Sequence, residues 1–86
     1  SYKEALYSQA YSSYSSGDYQ SAIPIFQKLV GMDEAYRDGS AAYYLAQSFR
    51  KSGDLASAKP YYQYVVDNYA GTEKARTSKN YLAQEQ

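Results

Sequence analysis

An internal repeat constrains this chain more than any other feature. Gly17-Asp18-Tyr19-Gln20-Ser21-Ala22-Ile23-Pro24-Ile25-Phe26-Gln27-Lys28-Leu29 lies over Gly53-Asp54-Leu55-Ala56-Ser57-Ala58-Lys59-Pro60-Tyr61-Tyr62-Gln63-Tyr64-Val65. Gly, Asp, Ser, Ala, Pro and Gln coincide, while Phe26/Tyr62 and Leu29/Val65 are conservative pairs. Upstream, Tyr7 matches Tyr43, Ala10 matches Ala46 and Ser16 matches Ser52, all at the 36-residue offset that separates Gly17 from Gly53. A period of this size marks a stacked array, because one small unit cannot bury its apolar side alone and must lay it against a copy of itself.

Within each unit the apolar residues recur at three- and four-residue steps, so the unit reads as helix, tight turn, helix. Leu6, Ala10 and Tyr14 form the first stripe, and Ala22, Ile25, Phe26, Leu29 and Val30 the second. In the next unit Ala42, Leu45, Ala46 and Phe49 are followed by Ala58, Tyr62, Val65, Val66 and Tyr69. Ser16-Gly17-Asp18 and Ser52-Gly53-Asp54 separate the stripes: Gly suits a left-handed helix end and Asp an N-cap. Ala10, Ala22, Ala46 and Ala58 sit where paired helices approach most closely, with larger side chains filling in around them. Pro24 and Pro60 fall about six residues into each second helix, where a local bend on the outer surface is expected; a later helix start at these prolines is the alternative. Asn68 to Glu73 holds a stop, a glycine and a fresh N-cap. A closing helix follows, with Ala75, Ser78, Tyr81 and Leu82 inward and Lys74, Arg76, Lys79 and Glu85 toward solvent. The reading is an all-α single domain over residues 1–86: repeat 1 about 2–36, repeat 2 about 39–70, capping helix about 72–84.

The 86 residues suffice for one modest core. Nine basic residues balance nine acidic ones, which leaves no net field to draw in nucleic acid or anionic lipid. Ala41 to Ala46 and Tyr61 to Val66 are the longest apolar stretches and fall far short of the roughly 20 residues of a membrane span, so direct membrane insertion of this segment is not expected. Cysteine and histidine are absent, and with them thiol nucleophiles, imidazole bases and the usual soft-metal ligands. The remaining candidates for acid–base work, Asp33, Glu34 and Asp38, lie in the connection from Gly31 to Ser40, which reads as a solvated loop and does not fix a carboxylate pair across a cleft. No phosphate loop or nucleophile elbow is present. The expectation is a protein without catalytic residues, metal or cofactor. The opening Ser1-Tyr2-Lys3 runs straight into a helical pattern, without initiator Met or signal segment, and reads as an internal piece of a longer chain.

The small-residue, large-residue and Gly-turn pattern resembles the tetratricopeptide repeat (TPR) family from about Tyr2 to Leu82. Unit two carries it through Ala42, Leu45, Ala46, Phe49, Gly53, Ala58 and Tyr62. Unit one departs at Gln9 and Ser13, and Glu34 and Ala70 stand where a closing proline is usual. The resemblance implies a right-handed superhelix of two hairpins plus a capping helix, acting as a protein-interaction scaffold. It also implies a concave groove lined by the first helix of each unit: Tyr7, Tyr11, Tyr14, Tyr43, Gln47, Arg50 and Lys51, taking a protein or peptide partner. Tyr7 and Tyr11 replace the Lys and Asn with which some relatives clamp a chaperone tail, so that ligand is disfavoured. Ser57 to Leu82 looks like the end of periplasmic repeat proteins of the Tol-Pal type, which implies part of a bacterial envelope protein and an extracytoplasmic location, periplasm or cell surface. Two alternatives stay open: stacking on further repeats or homo-oligomerisation through the same rings, and glycan binding by aromatic stacking. Arg50 and Lys51 can equally be a solvated helix end.

Overall fold

The computed structural model describes residues 1–84, so Glu85 lies outside the described residues. Five helices follow one another: α1 (Tyr2–Ser15), α2 (Tyr19–Met32), α3 (Ser40–Lys51), α4 (Leu55–Asn68) and α5 (Glu73–Leu82), with no strand among the described residues. Each helix packs against its neighbours in sequence, and α1 also touches α3, giving an all-α helical-repeat fold.

Both hairpin turns are built alike. Gly17 and Gly53 take φ of 88° and 95°, a region that costs any residue with a Cβ. Gly17 N donates to Tyr14 O and Asp18 N to Ser13 O; Gly53 N donates to Arg50 O and Asp54 N to Phe49 O. This double bond pattern satisfies the last carbonyls of α1 and α3. The Asp side chains then cap the next helix, Asp18 accepting from Ser21 N at 3.3 Å and Asp54 from Ser57 N at 3.0 Å. The Ser57 hydroxyl, with the Ser57 N–H, holds the Asp54 carboxyl below its ordinary pKa. At the last connection Thr72 accepts from Ala75 N at 3.2 Å and caps α5.

The four alanines Ala10, Ala22, Ala46 and Ala58 are wholly buried. Around the first pair sit Phe26 and Leu45, and around the second Tyr62, Val65 and Leu55. Burying a Phe or Leu contributes about 1.5–3 kcal/mol each, so this handful of large side chains supplies most of the cohesion. α2 and α4 start at Tyr19 and Leu55 and run through their prolines, which rules out a later start. Pro24 and Pro60 are exposed, and so are Gln20 and Ala56, whose carbonyls lose their helical donor; water can take its place.

The connection after α2 differs from expectation. α2 continues through Gly31 to Met32, and residues 33–39 form a hydrogen-bonded turn that stays exposed at Glu34, Ala35, Arg37 and Asp38. Tyr36 N donates to Asp33 O, Gly39 N to Ala35 O and Ser40 N to Arg37 O. Arg37, Asp38 and Gly39 are successive left-handed residues, which the sequence pattern did not signal. The turn is pinned because the Tyr69 ring lies over Gly39, 2.6 Å from where a Cβ would stand. Asp33 also pairs with Lys3 at 3.2 Å, tying the end of α2 to the start of α1.

Candidate partner-binding groove

Tyr7, Tyr11 and Tyr14 follow one another at four- and three-residue steps along α1, so helical geometry puts them on one side. Their rings form a ladder: Tyr7 and Tyr11 stack at 6.0 Å, and Tyr11 and Tyr14 meet at 5.9 Å. The ladder rests on α3 through Tyr44, whose ring lies 5.0 Å from Tyr11, 5.1 Å from Tyr14 and 5.2 Å from Tyr43. Behind it Phe26 stacks on Tyr44 at 6.4 Å and closes onto the core. Tyr11, 38% exposed, is the lip of this face, whereas Tyr43 is only 8% exposed and forms part of its floor. Tyr44 and Tyr36 complete the surface, although neither stands among the seven positions read from the repeat alignment. Tyr36 reaches Tyr7 at 5.7 Å only because the left-handed turn folds back, and no periodicity encodes that turn.

Cations border the rings. The Arg37 guanidinium lies 4.8 Å from the Tyr7 centroid; Lys51 Nζ is 5.1 Å from Tyr14 and 5.8 Å from Tyr19. From α5, Lys74 Nζ sits 5.7 Å from Tyr43 and 5.8 Å from Tyr44. Lys74 is therefore half-buried over the rings and does not simply face solvent, a correction with a plain cause: α5 packs on α4 and its long Lys74 side chain reaches across to Tyr43 and Tyr44 on α3. A cation over a ring face is attracted by the ring quadrupole and orders the tyrosine beneath it.

Gln47 and Arg50 lie in the same region but are engaged within the fold. Arg50 Nε donates to the Tyr62 hydroxyl at 3.0 Å and Arg50 Nη2 to Gln47 Oε1 at 3.3 Å, while the Tyr62 hydroxyl donates to Gln47 Oε1. The Arg50 guanidinium also lies 3.8 Å from the Tyr81 centroid, and Tyr81 stacks on Tyr62 at 5.4 Å. This network fastens α5 to the second hairpin and leaves no buried side-chain polar atom unpartnered among the described residues. Arg50 is thus a half-buried tether and not a solvated helix end.

Burial sets the chemistry of the face. Desolvation pushes the Tyr44 and Tyr62 hydroxyls up to about 12. The same cause raises Tyr7 and Tyr43, opposed at Tyr7 by the Arg37 charge. These phenols stay neutral at physiological pH, so the face offers rings and hydroxyl donors.

Paired helices repeating along the chain, with a partly exposed ring ladder on α1 resting on α3, define a helical-repeat module. A tetratricopeptide repeat family model matches residues 4–31 and 40–72, two segments whose starts fall 36 residues apart, and the chain belongs to that family. Repeats of this family mediate protein–protein interactions and act as scaffolds without chemistry of their own. No curated protein and no solved structure matches the chain significantly, so no relative stands behind the closer likeness to the Tol-Pal type.

Proposed function

We propose that this chain is a non-catalytic scaffold that holds an extended segment of a partner protein across Tyr7, Tyr11, Tyr14 and Tyr44. The observation that carries this reading is the ring ladder itself. Its tyrosines are ordered by mutual stacking and by flanking cations, so a bound segment gains large amphipathic contacts at small entropic cost. Lys51 at one end and Arg37 at the other mark its length; Tyr43, Gln47 and Arg50 support it from below.

Stacking on further repeats is the second reading: α1 exposes Tyr2, 55% accessible, on the side it shares with Ala5 and Gln9, whereas α5 exposes Arg76, Lys79 and Asn80. A place in a bacterial envelope protein is part of the same proposal and rests on the resemblance of Ser57 to Leu82.

Nuclear magnetic resonance titration with a panel of extended peptides tests the assignment. Shifts confined to Tyr7, Tyr11, Tyr14 and Tyr44, lost in Tyr11→Ala with unchanged helical circular dichroism, are expected. Binding that Tyr11→Ala leaves intact sinks the groove assignment.

A further inference from the structure

Cations, and no acids, lie over the rings of the tyrosine face although the chain as a whole is neutral. Arg37, Lys51 and Lys74 each place a cation over a groove tyrosine, from three different elements: the turn before α3, the end of α3 and the start of α5. None of the three has a carboxylate within ion-pair distance among the described residues; the two ion pairs there are Ser1 with Glu4 and Lys3 with Asp33. Asp38 and Glu73, the sequence neighbours of Arg37 and Lys74, are exposed and pair with neither. Three cations are therefore held at the rim by rings without a direct ion-pair partner among the described residues; Asp38 and Glu73 stand near two of them, and Lys51 has no acid beside it in the sequence.

Two of these cations, Arg37 and Lys74, also line a side cleft. A cavity of about 320 Å³ opens between α3, α4 and α5, its charged lining made of Arg37 and Lys74 together with Asp38 and Glu73. Arg37 and Lys74 thus belong both to the tyrosine face and to this cleft, which makes the two surfaces continuous and leaves room for a side chain of a bound segment beside the rings.

We propose that the partner segment is acidic: an extended peptide whose apolar side chains lie on the tyrosines and whose Glu or Asp residues reach Lys51, Arg37 and Lys74. This rests on the groove reading above and adds the chemical class of the occupant. Each rim carboxylate finds a cation already oriented, so complementarity sets specificity and encounter rate more than total affinity.

Fluorescence anisotropy with three labelled peptides tests it, each alternating Leu with one polar residue, Glu, Gln or Lys. The Glu peptide is expected to bind tightest, to weaken with added salt, and to lose roughly fivefold in affinity for each of Lys51→Gln and Lys74→Gln. Lys79→Gln, which removes an α5 cation away from the rings, is expected to change nothing. If the Gln peptide binds as well as the Glu peptide, and Tyr11→Ala weakens both, the acidic assignment is wrong while the groove stands. If Tyr11→Ala affects no peptide, the groove itself is wrong. If heparin oligosaccharides displace the Glu peptide and bind more tightly than it does, the occupant is a polyanionic glycan and the peptide assignment is overturned.

Discussion

Ala10, Ala22, Ala46 and Ala58 have no exposed surface, and each lies where two helices of a hairpin touch. A larger side chain there must push the helices apart. Ala46→Leu is expected to cost about 1–3 kcal/mol, read from a thermal melt. Two glycines separate backbone need from mere smallness. Gly53 sits at φ 95° at a helix end, so Gly53→Ala is expected to destabilise by about 1–2 kcal/mol. Gly31 lies inside α2, and a Cβ there meets nothing within 4 Å, so Gly31→Ala is expected to stabilise by about 0.5–1 kcal/mol. Urea titration of the pair resolves the opposite signs. Tyr44 was not legible at this scale: repeat alignment marks its neighbour Tyr43, and adjacent helical positions point about 100° apart, so only the observed packing shows which ring the α1 ladder rests on.

Helix starts and stops were largely written in the sequence, because the Ser-Gly-Asp turns carry both a left-handed end and an Asp cap in consecutive residues. The prolines show where local preference yields to context. Pro24 removes a backbone bond yet stands on an exposed side, so Pro24→Ala is expected to raise stability, by up to about 3 kcal/mol. An unchanged or lowered urea midpoint contradicts that account. α5 is a different case. Only Ala75 and Ser78 are fully buried on it, and its docking leans on Tyr81 against Tyr62 and Arg50. Tyr81→Ala is expected to loosen α5 selectively, seen as faster amide exchange over residues 75–82 while α1 and α2 stay protected.

At the scale of the whole molecule, the tyrosines couple stability to alkaline pH. Tyr44 and Tyr62 titrate near 12 in the folded protein against the ordinary value of about 10. Their folded pKa is raised, so the stability they contribute is complete below pH 10 and is lost as pH rises from about 10 toward 12, where the unfolded chain ionises first. Helical circular dichroism and phenolate absorbance are expected to change together in that window; a folded protein with both phenols ionised contradicts the burial assigned to them. By itself the sequence determined the all-α repeat, its period, the hairpin turns and the alanine contacts, because helix periodicity, caps and left-handed glycines act over a few residues. Only the tertiary structure decided what the leftover side chains do. Gln47 and Arg50 turned inward to fasten α5, Lys74 came over the tyrosines from a helix expected to be wet on that side, and the turn at 33–39 brought Tyr36 and Arg37 to Tyr7. A helical pattern says which residues share a side; which of them meet depends on how whole helices settle against one another, a property of no single segment.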